Sequence, residues 1–186
     1  MVNSVFYNTK SLVQFILKNF HSQVKIAVDM TAGNGHDSKF IMETFNPEKL
    51  YAFDIQEQAK ENTISLLEEA GFSVNFVLDS HANIKKHVSE KIDLAIYNLG
   101  YLPSGDHSIT TEHDTVRESL EDLLDLLNDK GLVLITFYPG HDEGKKEALE
   151  LNKYLESLDQ KTFTVVKFDF INQINNPPFT IMIQKK

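Results

Sequence analysis

Cysteine is absent from all 186 residues, which excludes disulfides, thiolate nucleophiles and Cys-ligated metal centres. A surplus of positive charge is absent too: 18 Lys+Arg stand against 27 Asp+Glu, for a net charge of −9. That balance argues against non-specific nucleic-acid binding over the whole surface and leaves room only for a local patch. Lys85, Lys86, Lys145 and Lys146 are candidates for one, although exposed helical lysines are commonly just solvated charges. The opening segment MVNSVFYNTKSLVQFILKNF lacks the basic start, continuous apolar run and small-residue cleavage site of a secretory signal. Its apolar residues Leu12, Val13, Phe15, Ile16, Leu17 and Phe20 instead share one helical face, as in a helix packed on a domain. No stretch reaches the ~20 apolar residues of a bilayer-spanning helix. Repeats, low-complexity tracts and linkers are missing as well. The expectation is one cytoplasmic domain over residues 1–186 with no membrane partner.

What is present is an ordinary globular composition, 41% hydrophobic and 24% charged, in a chain long enough to bury a core. Short apolar runs at 25–29, 50–54, 74–79, 92–98 and 132–138 read as strands. Amphipathic stretches at about 36–45, 56–70, 81–88, 115–127 and 143–158 alternate with them. Alternation of this kind implies crossover units and a mostly parallel sheet. Gly71 and Gly131 stand where helices should end. The segments 162–172 and 179–184 have no room for a helix between them, so they should pair as an antiparallel hairpin. The expected fold is α/β and Rossmann-like: a seven-stranded, mostly parallel sheet closed by a C-terminal hairpin, with helices on both faces. Five β/α units and a hairpin form the element order of class I methyltransferases, whereas dinucleotide-binding domains usually continue with a sixth parallel unit.

The sharpest local signal is VDMTAGNGHDSKF at 28–40. A strand ends in Asp29, Gly33-Asn34-Gly35 makes a turn, and a helix begins near His36. Glycines admit a ligand close to the backbone, and a helix start offers unpaired N–H groups to an anion. Position 38, where a dinucleotide fingerprint carries its third glycine, is Ser38. That weakens an NAD reading and suits S-adenosylmethionine, which has a carboxylate and no phosphate. Asp54 ends the second strand roughly 20 residues on, where an acid commonly takes ribose hydroxyls. Asp79-Ser80-His81 ends the third, where an acid and a polar neighbour suit adenine. The plain alternative is that Asp29, Asp54 and Asp79 merely cap the helices that follow.

The fourth strand ends in Asn98-Leu99-Gly100-Tyr101-Leu102-Pro103, similar to the (Asp/Asn)-Pro-Pro-(Tyr/Phe) segment of amino-methyltransferases. Asn98 takes the polar position and Tyr101 the aromatic one, while Leu99-Gly100 replaces the prolines. The polar stretch SGDHSITTEHD at 104–114 is longer than most βα connections. His36, His81, His107, His113 and His141 are numerous, but none has the H-x-x-x-H spacing of a helical metal pair. Metal-independent chemistry is the expectation.

Taken together, DMTAGNGHDSKF, FDIQ, DSH, YNLGYLPSGDHSITT, YPGH and FINQINNPPF resemble a bacterial family first labelled rRNA methylases and now associated with tRNA 5-(aminomethyl)uridine-34 methylation. The resemblance runs over about residues 4–184. It implies transfer of a methyl group from S-adenosylmethionine to the exocyclic amine of 5-aminomethyl-(2-thio)uridine at the wobble position, with a tRNA anticodon stem-loop as partner. By position, it assigns Asn34, Asp37, Asp54, Gln56, Ser80 and His81 to the cofactor, beside Asp29, Gly33 and Gly35 of the turn. It turns Tyr101, Pro103, Ser108, Thr110, His141, Asn172, Asn175 and Pro177 toward RNA. The acidic net charge departs from what RNA binding suggests, and a homodimer gathering lysines on one face would answer it.

An aliphatic amine is mostly protonated at pH 7, with a pKa near ~10, so such an enzyme must present it neutral. Asp106 and His107 are candidates to orient the amine or accept its proton, and Asn98 to hold it through its side-chain carbonyl. Asp106 and His107 are equally suited to be turn formers. Tyr101, Tyr138 and Phe179 are candidate stacking platforms for an unpaired base, though Phe179 suits the core as well. An rRNA methyltransferase, a small-molecule N-methyltransferase, a non-enzymatic nucleotide-binding module and an NAD-dependent oxidoreductase are the competing readings.

Overall fold

The computed structural model describes residues 7–20, 23–99, 113–140 and 142–186, without the side chains of 113, 114 and 142–147. Its element order is α1 (Thr9–Lys18), β1 (Ile26–Asp29), α2 (His36–Phe45), β2 (Lys49–Asp54), α3 (Glu57–Glu69), β3 (Asn75–Leu78), a 3-10 turn (His81–Asn83), α4 (Ile84–His87), β4 (Ile92–Leu99), α5 (His113–Leu126), β5 (Leu127–Phe137), α6 (Asp142–Glu156), β6 (Phe163–Phe168) and β7 (Phe179–Lys185). The strands form one seven-stranded sheet in the order β3-β2-β1-β4-β5-β7-β6. The first five are parallel, and β7 pairs antiparallel with both β5 and β6. The expected parallel sheet with a closing hairpin is what forms.

Two apolar clusters cover the two faces, because neighbouring strand residues point to opposite sides. Val28, Ala95, Tyr97, Val133 and Ile135 pack with Ile84 of α4, Leu120 and Leu123 of α5, and Leu151 of α6. Ala27, Leu94, Ile96, Leu132 and Leu134 pack with Val13 and Leu17 of α1, Ile41 of α2 and Leu67 of α3. The central strands are buried on both faces and therefore read as continuous apolar runs. The opening helix is secured by a capping box: the Asn8 side chain accepts from the Ser11 amide, and Ser11 Oγ accepts from the Asn8 amide. No helix among the described residues is long and apolar enough to cross a membrane.

Three local expectations need correction. Gly71, at φ +79°, does follow the end of α3 in left-handed geometry, but Gly131 ends no helix. Helix α5 runs straight into β5 at Leu127, and Gly131 lies inside that strand. Lys130 takes the left-handed conformation instead, at φ +64°. A Cβ on Gly131 would come within 2.8 Å of the Asn128 carbonyl and Leu127 Cγ, so the glycine answers crowding and not helix capping. The jump in pairing from Ile92–Leu127 to Leu94–Leu132 shows that an irregularity absorbs the extra residues. The stretch after β3 divides into a 3-10 turn and a short α4, and β6 stops at Phe168, well before residue 172. Residues 171–176 are exposed, with Asn175 and Asn176 both left-handed.

Candidate active site

All five parallel strands end at one edge, and the strand order reverses between β1 and β4. That reversal opens the crevice in which open α/β sheets take ligands. The chain leaving β1 lines it, pinned at nearly every residue. Met30 N donates to Ile96 O at 2.9 Å, Ala32 N to Phe53 O at 2.8 Å, and Gly33 N to Asp54 Oδ2 at 3.0 Å. Gly33 and Gly35 are left-handed, at φ +53° and +77°. At Gly35 a Cβ would lie 2.8 Å from the Thr63 Cα, so the turn rests directly on α3. From α3, Asn62 Nδ2 donates to Asn34 Oδ1 at 2.8 Å and Thr63 Oγ1 to Gly33 O at 3.1 Å.

The three strand-end aspartates are not helix caps. The positions that cap α2, α3 and the 3-10 turn are Gly35, Gln56 and Ser80, and of these only Ser80 uses its side chain. Asp54 gathers two backbone amides, Gly33 N on one oxygen and Gln56 N on the other, each at 3.0 Å. It thereby ties the glycine turn to the start of α3. Asp29 is fully buried, accepting from Ser38 Oγ at 2.7 Å and from Thr31 N at 3.2 Å. Burial, then the nearby Asp37 charge, lifts its pKa to about 7 against the pull of those hydrogen bonds. Ser38, the residue that spoils the dinucleotide fingerprint, is thus the partner of Asp29.

Asp79 is engaged within its own turn. Its oxygens accept from Ser80 N at 2.7 Å and Asn83 Nδ2 at 2.9 Å and meet His87 Nε2 at 2.8 Å, fastening the turn to α4. Those bonds, His87 first, hold its carboxyl below the usual value. His81 beside it is buried edge-on against Tyr97, the ring centroids 5.9 Å apart. Among the described residues its Nδ1 has no hydrogen-bond partner. Burial lowers its pKa to about 4, so the ring is neutral.

At the end of β4, Asn98 N donates to Thr31 Oγ1 at 2.7 Å, and Asn98 Nδ2 makes a short hydrogen bond to Asp37 Oδ2. Burial raises the Asp37 carboxyl, while Lys10, the Asn98 amide and His36 pull it down. Tyr138 just beyond β5 also faces this corner. Burial raises its phenol most, the hydrogen bond with Thr9 opposes that, and Asp37 adds to it. The start of α1 therefore reaches the same corner as Asn98. Sequence reasoning missed Thr31, Ser38, Asn62, Thr63 and Lys10. Thr31 and Ser38 flank the glycine turn as short polar residues, which was a signal, whereas Asn62, Thr63 and Lys10 come from other helices and carried none.

The structure brings together Asp29, Gly33, Asn34, Gly35, Asp37, Asp54, Gln56 and Asn98, with Ser80 and His81 on the adjoining strand end. Phe179 is core, stacked on Phe137 at 4.8 Å. Asn172 and Asn175 are exposed on the β6–β7 connection, and Pro177 is half-buried there. Lys85 is occupied by Asp122 and Asp125. Tyr101, Pro103, Asp106, His107, Ser108, Thr110 and His141 lie outside the described residues, as do the side chains of Lys145 and Lys146.

Comparison with known proteins bears on this corner. A family model described as "Putative rRNA methylase" matches residues 50–184. A curated protein of Arabidopsis thaliana, "tRNA (mnm(5)s(2)U34)-methyltransferase, chloroplastic", is 29% identical over 172 residues, covering 86% of this chain. The match spans 63% of that protein's own length. A Clostridium thermocellum structure named "putative rRNA-methylase" superimposes with a TM-score of 0.93 at 34% identity, covering 98% of this chain and all of its own. A Streptococcus mutans "putative methyltransferase", solved in complex with SAH, gives 0.88 at 38% identity with the same coverage.

Proposed function

This chain belongs to the rRNA methylase family so described, and from that premise we propose that it methylates the exocyclic amine of 5-aminomethyl-(2-thio)uridine at wobble position 34 of tRNA. It does so as a single cytoplasmic domain over residues 1–186, with an anticodon stem-loop as substrate and a second copy of the chain as partner. The methyl donor is S-adenosylmethionine, which supplies an electrophilic methyl carbon whose bond to sulfur breaks as the bond to nitrogen forms.

The residues present fit that donor. Gly35 lets the turn rest directly on α3, and the left-handed turn at 33–35 can approach a ligand with backbone alone. Asp29, Asp37 and Asp54 place carboxylates around it, a set suited to a sulfonium, an ammonium and ribose hydroxyls. The orphaned Nδ1 of buried His81 suits an adenine edge. Asp54, Gln56, Ser80 and His81 would then hold the nucleoside end, and Asp29, Asn34 and Asp37 the amino-acid end.

The observation that carries the reading is Asn98. It closes β4 beside the glycine turn, hydrogen-bonded to both Thr31 and Asp37. A carbonyl there accepts an N–H of a neutral amine and leaves the nitrogen lone pair free to attack. Tyr101 stacks on the splayed base. Asp106 or His107 takes the proton that the nitrogen must shed.

Nucleoside mass spectrometry tests this reading. Purified protein with S-adenosylmethionine should convert 5-aminomethyluridine in tRNA to its methylamino form and leave tRNA with plain uridine untouched. The rRNA named by the family description would need the same site and differs in substrate. Comparable turnover of an rRNA fragment or a free small amine would refute the wobble assignment.

A further inference from the structure

Asp37 stands on the first turn of α2, and its carboxylate accepts a hydrogen bond from the side-chain amide of Asn98 on β4. Lys10 of α1 and His36 beside it act on it through charge, and its own charge is felt by Asp29 at the end of β1 and Tyr138 beyond β5. The contact with Asn98 is directional. A carboxylate only accepts hydrogen bonds, whereas an amide has a donating and an accepting side. With Asp37 ionised, the NH2 of Asn98 must face it, and Oδ1 must face away. The backbone of Asn98 is anchored separately, through Thr31 Oγ1 at 2.7 Å. Side-chain setting and main-chain position are thus both determined.

We infer that Asp37 is a positioning residue that acts through Asn98, setting its amide so that the carbonyl and not the NH2 faces the acceptor amine. The inference rests on the N-methylation reading above and goes beyond any contact of Asp37 with the methyl donor. The two settings of the amide differ chemically. A carbonyl takes an N–H from the neutral amine and leaves its lone pair directed at the methyl carbon. An NH2 in that place would donate to the lone pair and tie up the electrons that form the new bond.

Single-turnover rates on tRNA bearing 5-aminomethyluridine, each variant at its own saturating S-adenosylmethionine, separate this role from donor affinity. Asp37→Ala should lose on the order of tenfold to a hundredfold, the scale of a misplaced reacting group. Asp37→Asn keeps one acceptor oxygen but allows both settings, so it should fall between Ala and wild type. In an Asn98→Ala background, Asp37→Ala should cost nothing further, because the group it positions has gone. A defect that disappears at saturating donor, or full additivity with Asn98→Ala, would overturn the inference.

A readout without turnover is the side-chain NH2 resonance of Asn98 in 15N-labelled protein, identified by its absence in Asn98→Asp. It should move in Asp37→Asn while the rest of the spectrum shows the same fold, and an unmoved resonance would also overturn the inference. Absent turnover by wild-type protein on this tRNA defeats the substrate assignment alone, and the resonance still decides whether Asp37 orients Asn98.

Discussion

Asp29 and His81 are both buried, at the ends of β1 and β3, and burial acts on them in opposite directions. The folded carboxyl has a pKa of about 7 against 3.8. Its contribution to stability is full below pH 3.8 and is lost as pH rises through about 7. The folded imidazole titrates near 4 against 6.5. Its contribution is full above pH 6.5 and is lost as pH falls through about 4. The two windows nearly coincide and their slopes oppose. Each pKa unit corresponds to about 1.4 kcal/mol, so the groups swing stability by roughly 3–5 kcal/mol across the interval, Asp29 the more. Asp29→Asn should therefore gain stability relative to wild type as pH rises from 4 to 7, and His81→Phe should gain as pH falls over that range. Urea denaturation of the ligand-free proteins at pH 4.5, 5.5 and 6.5 measures both. Parallel curves for Asp29→Asn and wild type would show that this carboxyl does not titrate in the interval.

The glycine turn shows what was legible at the level of elements. Its strand, its two glycines and the acid 21 residues after Gly33 could be read from Asp29, Gly33, Gly35 and Asp54, because backbone geometry there demands particular residue types. Parallel sheet and closing hairpin were equally legible, since buried strands carry apolar runs and 173–178 is too short for a helix. What escaped was tertiary. That Ser38 serves Asp29, that Asp79 fastens its turn to α4, and that Gly131 relieves crowding inside β5 all depend on how the chain folds back on itself or on a register shift. The apolar run 92–98 placed Asn98 correctly at the end of β4, but nothing along the chain paired it with Asp37, 61 residues away. Gly35 is the test case. Gly35→Ala must adopt φ +77° and bring a Cβ to 2.8 Å from the Thr63 Cα, a backbone atom that cannot swing aside. The left-handed conformation alone costs about 1–2 kcal/mol. The variant should lose more than that in chemical denaturation, and cofactor affinity should fall with it. A loss below about 1 kcal/mol would mean that α3 yields and the turn is not held against it.

For the whole molecule, a net charge of −9 must be reconciled with the RNA substrate proposed above. Among the described residues, ten cations are engaged by partners within the chain. Lys25, Lys39, Lys49, Lys60, Lys85, Arg117 and Lys167 are ion-paired with neighbouring acids. Lys91, Lys185 and Lys186 donate to main-chain carbonyls. Exposed pairs contribute little to stability, but they leave few charges able to displace counterions from RNA. Residues 100–112, the polar segment after β4, hold no Lys or Arg at all. On the proposed reading, affinity for an anticodon loop should then come mainly from stacking and hydrogen bonding to unpaired bases, which salt screens weakly. For single strands each neutralised phosphate contributes about −0.7 to the slope of log K against log salt, so two or three contacts give roughly −2. Fluorescence anisotropy on an anticodon stem-loop between 50 and 300 mM salt should return a slope near that value. A slope steeper than about −5 would require seven or more phosphate contacts. Six described cations, Lys10, Lys18, Lys86, Lys130, Lys153 and Lys161, lie outside those pairs, so that result would require Lys145 and Lys146 or the opening of an ion pair and would refute binding led by stacking.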